Sequence, residues 1–208
     1  TKPKIDPAAT SVEINGQVKK LSAHSLSLFD VDTDLLRKLN PDVILTQAQC
    51  DVCAVSEKDL AGLLGEWEGK KPEIVSLQPT RFSHLWDDIR TVAEAIGART
   101  QCKELLGELK PKCVDVIERA AAAKRKPQVV CLEWLDPLMA GGNWIPDMVT
   151  MAGGENLIAE GGKHSGWITM EDLTAANPHI IVLMPCGFDL SRTMEAARVL
   201  EGLPGWNQ

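Results

Sequence analysis

Residues 39–47 read LNPDVILTQ and residues 176–185 read ANPHIIVLMP. Each places Asn-Pro directly before an apolar run, and each run stops near a cysteine, Cys50 or Cys186. Proline ends a preceding helix and forces the chain into an extended segment. The phrase therefore predicts one structural step, used twice: helix, Asn-Pro, buried strand, then a loop at the carboxyl end of the strand. Two further runs echo each other, PEIVSLQP and PQVVCLEW.

The four strands expected from these runs are Val43–Thr46, Glu73–Leu77, Val129–Leu132 and Ile180–Met184. All are short, apolar and free of polar alternation, as strands covered on both faces are. Between them lie helical patterns. Asp32 caps a helix to Leu39 with Leu35, Leu36 and Leu39 on one face. Ser56 opens a helix carrying Leu60, Leu63 and Leu64. Ser83 caps one that Gly97 ends, and Thr169 caps one with Glu171 and Asp172 in its first turn. Pro146 opens another that Gly153 and Gly154 stop, and Ser191 caps the last. The longest runs from Thr100 to about Lys124, on the order of 36 Å at 1.5 Å per residue. Its inward residues are read as Leu105, Leu106, Leu109, Cys113, Val116 and Ile117, with a kink at Pro111.

Alternating helices and strands imply an α/β fold with parallel sheets. The expected organisation is an N-terminal α/β lobe over 1–82, a helical segment with a long bridging helix over 83–126, and a C-terminal α/β lobe over 127–208. In such sheets ligands sit beyond the carboxyl ends of the strands. The loops QAQCDVC and PCGFD fall there.

Composition excludes some classes. The net charge of −7 speaks against nucleic acid as a partner, because phosphate neutralisation needs clustered Lys and Arg. No apolar stretch reaches the ~20 residues that span a bilayer, and TKPKIDPAAT does not read as a signal peptide. The four histidines have no ligand-type spacing, and no nucleophile elbow, Walker loop or dinucleotide fingerprint occurs. No residues can be assigned as general base and nucleophile, so the expectation is a chain without enzymatic activity.

Two features point to a ligand. The chain has six Trp and no Tyr. Trp134, Trp144 and Trp167 fall near strand ends, where rigid indoles suit a flat or bulky ligand; each can equally be a core anchor. The Cys50-x-x-Cys53 pair offers an alternative, a thiol-based redox or metal-handling protein that also draws on Cys186. Six cysteines leave the compartment open between cytoplasm and an extracytoplasmic space.

Through NPDVILTQAQCDVCAVS, CLEWLDPLMAGGNWIPDMVTMAGGENL and MEDLTAANPHIIVLMPCGFDL, the chain resembles the cobalamin-type (class III) substrate-binding proteins of ABC importers, over about residues 30–205. The resemblance implies two α/β lobes bridged by a long helix and a corrinoid, or a similar tetrapyrrole or siderophore, as transported ligand. The protein would have no cofactor of its own and an extracytoplasmic location. It implies ligand contacts from Gln47, Gln49, Cys50 and Asp51 in one lobe, and from Trp134, Trp144, Trp167, Cys186, Gly187 and Phe188 in the other. It further implies docking to an ABC permease through Glu57 and Glu171, one per lobe, acting as rim charges. The family's opening strand–helix–strand is not legible here, and neither is its closing strand-containing segment. The fold is therefore expected to be incomplete relative to the family, with a homo-oligomer as one way to complete the sheets.

Overall fold

The computed structural model describes residues 2–23, 28–48, 55, 60, 62, 64, 65, 67 and 69–206. The chain divides into two compact units. One comprises Thr1–Pro79 with Leu85–Glu104, the other Thr80–His84 with Leu105–Gln208.

The first unit opens with β1 (Lys2–Pro3), a helix over Ser11–Ala23 and β2 (Phe29–Asp30), with β1 and β2 antiparallel. This corrects the expectation that no strand–helix–strand opening is present. A cap marks the helix: Thr10 Oγ1 accepts from the Glu13 amide at 3.4 Å, and a Glu13 carboxylate oxygen accepts from the Thr10 amide at 2.9 Å. That is the reciprocal capping box of Thr-x-x-Glu. The Thr10 amide and then the Thr10 hydroxyl donate to the Glu13 carboxylate and favour its charged form, so Glu13 is held below the usual carboxylate range.

A helix over Thr33–Leu39 follows, capped by Asp32, whose side chain accepts from the Leu35 amide at 2.9 Å. Leu36 is half-buried, whereas Leu35 and Leu39 are exposed, so the expected three-leucine face is covered only in part, at one position. β3 (Val43–Gln47) then pairs in parallel with β4 (Glu73–Leu77). The helix His84–Ala95 completes the unit with the first turns of the helix Arg99–Ala121.

That 23-residue helix continues through Pro111. Its covered stripe is Cys102, Leu106, Leu109 and Cys113, a spacing of four, three and four. Leu105, Val116 and Ile117, expected inward, are exposed. At about 100° per residue all seven fall within one arc of about 120°, with the covered four at its centre and Leu105, Val116 and Ile117 at its edges.

The second unit is built on β5 (Gln128–Leu135). Its carbonyls alternate between two edges. Val129 accepts from Leu157 and Cys131 from Gly141 on one side; Gln128 accepts from His179 and Leu132 from Met184 on the other. β9 (Ile180–Leu183) therefore runs parallel along one edge. The other edge carries β7 (Glu155–Asn156), parallel, against the first half, and β6 (Leu138–Ala140), antiparallel, against the second half. β8 (Gly166–Trp167) lies antiparallel outside β6. The parallel ladders agree with the expected architecture, and the two antiparallel strands are an addition that makes this sheet mixed.

Val130, Leu132, Leu135, Leu138, Leu173 and Leu200 form the core, and Leu132 is completely enclosed. Helices over Ile145–Met151, Met170–Ala176, Leu190–Ala196 and Arg198–Glu201 surround the sheet sequence. The helix Leu190–Ala196 is capped by Asp189, whose side chain accepts from the Arg192 amide at 2.8 Å, and not by Ser191 as expected.

The repeated phrase has one structure in both units. Asn40 and Asn177 both end a helix in the left-handed region, each at φ 44°, and both donate their amides back into the helix. Asparagine tolerates this conformation where most residues do not. Proline follows each, and β3 or β9 begins within three residues of it.

Candidate functional site

The second unit concentrates its chemistry at the carboxyl ends of β5 and β9. A bulge shifts the register of β5 between Leu132 and Trp134. Beyond it the alternation of carbonyls slips, and Glu133 accepts at its backbone from the Cys186 amide on the β9 side at 3.3 Å. The Glu133 side chain is partly buried. Its two oxygens serve different segments: one accepts from Ser165 Oγ at 2.6 Å, the other from Cys186 Sγ at 3.4 Å. Ser165 Oγ in turn accepts from the Gly142 amide at 3.1 Å. One carboxylate thus ties together the loop after β6, the segment leading into β8 and the loop after β9.

Gly142 is required for this crossing. A Cβ there would stand 2.6 Å from Lys163 O and from Ser165 N. The neighbouring Asn143, buried and at φ 51°, donates its amide to Lys163 O at 2.6 Å and accepts from the Gly162 amide at 2.9 Å. Two backbones are therefore sutured here, and only glycine lets them approach so closely.

An aromatic stack lies beside the carboxylate. Trp134 is 8% exposed, and its indole N–H donates to Asp136 O at 3.1 Å. Phe188 packs on it with ring centroids 5.5 Å apart and planes tilted by 60°. The Arg192 guanidinium carbon sits 3.7 Å from the Phe188 centroid, inside the range of a cation–π contact. Gly187, at φ 77°, turns the chain between Cys186 and Phe188, and a Cβ there would meet nothing within 4 Å.

The residues singled out from the sequence fall as follows. Trp134, Cys186, Gly187 and Phe188 come together at this rim. Trp167 stands on β8 opposite Met139 and is 55% exposed. Trp144 precedes the helix Ile145–Met151, half-buried. Each of these two lies two residues beyond the Gly142–Ser165 crossing. Glu171 is exposed in the first turn of its helix, while the adjacent Asp172 turns back to accept from Thr169. In the first unit, Gln47 ends β3 and lines an apolar hollow of about 590 Å³ with Leu36, Ile44 and Leu77 among others. Gln49, Cys50, Cys53, Asp51 and Glu57 lie outside the described residues.

Glu133, Ser165 and Arg192 were not anticipated. A single carboxylate inside the apolar run VVCLEWL was the available signal, since charge in a covered strand needs partners. Among the described residues no three His, Cys, Asp or Glu side chains converge to hold a metal ion. No helix described is long and apolar enough to cross a membrane.

The second unit is thus an α/β unit whose parallel strands end in an aromatic, thiol and carboxylate rim. The model of the periplasmic binding protein family matches residues 8–208, and the chain belongs to that family, one of non-catalytic binding proteins. Among curated proteins nothing matches it. Solved structures share the fold. An ABC transporter substrate-binding protein from Listeria monocytogenes superposes with a TM-score of 0.65 at 23% identity, covering 85% of this chain and 66% of that one. S. aureus IsdE, solved with heme, gives 0.65 at 19% identity, covering 86% and 67%. The vitamin B12 binding protein BtuF of Vibrio cholerae gives 0.57 at 15% identity, covering 74% and 58%. The chain thus spans about two thirds or less of the length of these relatives.

Proposed function

We propose that this chain acts as the substrate-binding protein of an ABC importer, in an extracytoplasmic space, for a bulky metal-carrying macrocycle of the tetrapyrrole class, corrinoids included. Membership of the family supports binding over catalysis. The single observation that carries the ligand class is the rim of the second unit, where Phe188 is braced by a nearly enclosed Trp134 beside Cys186. An aromatic side chain braced in this way loses little conformational freedom when a bulky ligand packs beside it. Trp144, Trp167, Gly187 and, from the first unit, Gln47 are proposed contacts, as are Gln49, Cys50 and Asp51. Glu171, exposed beside a neighbour occupied in capping, is the proposed permease-docking charge, with Glu57 as its counterpart.

The similar structures solved as heme- and vitamin B12-binding proteins are the reason the proposal stops at the metal-macrocycle class instead of the corrinoids alone. The test is titration of the purified chain with hemin and with cyanocobalamin, followed by tryptophan fluorescence and the ligand's own absorbance. Saturable quenching at micromolar concentration with one of them is the expected result. Absence of both signals at a hundred-fold higher concentration refutes the ligand class.

A further inference from the structure

Resting on that reading, we infer that Arg81 is a positioning residue for the ligand rim, acting through the loop that ends at Ser165. That loop, residues 157–165, connects β7 to β8. β7 pairs with β5 at Gln128 and Val129, the amino end of that strand. β8 pairs with β6, which lies along the carboxyl half of β5. The loop therefore runs from one end of β5 to the other and delivers Ser165 to Glu133 at the rim. Glu155, which shares a hollow with Arg81, pairs with Gln128, five residues before Glu133 and about 16 Å away at 3.3 Å per residue. An influence of Arg81 on the rim is therefore carried by the loop.

Arg81 grips the middle of this loop. Its Nη1 donates to Gly161 O at 3.0 Å, its Nε donates to one oxygen of Asp147 at 2.9 Å, and its Nη2 lies 2.7 Å from the other. The Phe82 amide donates to the same carboxylate at 2.9 Å. All three guanidinium nitrogens are thus engaged, two of them in the planar fork that holds a carboxylate by both oxygens. The loop is shaped to receive the arginine. A Cβ at Gly161 would stand 3.0 Å from Asp147 Oδ1 and 3.1 Å from Arg81 Nη1, and one at Gly162, where φ is 85°, would stand 2.9 Å from Arg81 Cδ. Two successive glycines let the backbone lie directly on the side chain. From there the hold passes along the loop: the Gly162 amide donates to Asn143 O at 2.9 Å, and the Asn143 amide donates to Lys163 O at 2.6 Å. The Asp147 side chain is 18% exposed, so water screens this pair less than a pair such as Arg90–Asp87, whose carboxylate is 73% exposed.

The experiment titrates the full chain with hemin and with cyanocobalamin, in wild type, Arg81→Ala, Arg81→Lys and Arg90→Ala, at a temperature where far-UV circular dichroism shows each chain folded. For a probe that the wild type binds, Arg81→Ala is expected to weaken affinity by roughly 3–30-fold, the size of effect exerted by a residue that does not touch the ligand. The change that the chain induces in the visible circular dichroism of the probe at saturation should shrink as well, which a residue that only stabilised the fold would not cause. Arg81→Lys keeps the charge but cannot fork, so it should fall between, and it carries the test if Arg81→Ala does not fold. Arg90→Ala, which removes an exposed pair, should match the wild type. Affinity within about twofold of the wild type in both Arg81 variants would overturn the inference and leave the proposed function standing. Weakening with an unchanged saturated spectrum would assign Arg81 a merely structural role and overturn it too, as would an equal effect of Arg90→Ala. A wild-type chain that binds neither probe removes both.

Discussion

Gly142→Ala offers a direct test of the crossing that assembles the rim. The new Cβ would meet Lys163 O and Ser165 N at 2.6 Å, and retreat to ordinary contact at 3.4 Å means a shift of about 0.8 Å. Neither neighbour is a flexible side-chain tip; both are backbone. Three hydrogen bonds hold the two segments at their present spacing: Asn143 N to Lys163 O at 2.6 Å, Gly162 N to Asn143 O at 2.9 Å, and Gly142 N to Ser165 Oγ at 3.1 Å. A shift of that size weakens all three, at about 0.5–1.5 kcal/mol each. Overpacking adds about 1–3 kcal/mol if the backbones cannot separate. The opposing effect, reduced freedom of the unfolded chain, is only about 0.4–1 kcal/mol. Destabilisation therefore wins, by about 2–7 kcal/mol. For a chain of this size that corresponds to a fall in Tm of about 4–28 °C. Urea unfolding followed by far-UV circular dichroism and tryptophan emission measures it. Gly166→Ala is the control, because its Cβ would meet nothing within 4 Å. Equal stability of the two variants would refute the close approach and, with it, the placement of Ser165 beside Glu133.

Two further outcomes are expected. In the capping box at Thr169, the backbone bond and then the hydroxyl bond from Thr169 hold Asp172 below the usual carboxylate range. A depressed carboxylate adds stability that is present above its unfolded pKa and lost as pH falls through the folded one. Thr169→Val should therefore move the Asp172 carboxyl titration, read by ¹³C NMR, upward toward ordinary values, and an unchanged titration would contradict the cap. Among the described thiols, Cys186 is exposed, whereas burial raises Cys131 above the usual thiol range. Peptide mapping after brief alkylation of the native chain should find Cys186 modified at least ~10-fold faster than Cys131; the reverse order would contradict the placement of both.

Much of the frame was legible because its signals are local. The Asn-Pro step, the Thr169 box and the apolar runs each encode a conformation within a few residues, and the structure reproduces them at Asn40, Asn177 and β3, β4, β5 and β9. The Thr10–Glu13 box was equally readable in TSVE, although Gly16 and sparse apolar positions dilute the helix behind it. The strands β6, β7 and β8 span two or three residues, too few for any periodicity to appear. The site was legible in part. Cys186 and Phe188 announce themselves by following a strand, but Arg192 is a helix-surface arginine like any other until Phe188 is known to lie beneath it. Glu133 owes its place to a bulge, a long-range accommodation between β5 and β6 that no local pattern records.

The left-handed asparagine followed by proline has a consequence for how such a protein can diversify. It joins helix to strand with almost no slack, so insertions at the amino ends of β3 and β9 would throw the strands out of register. At these junctions the end of the helix and the start of the strand form one mechanical unit, so a change of length in either is passed directly to the other.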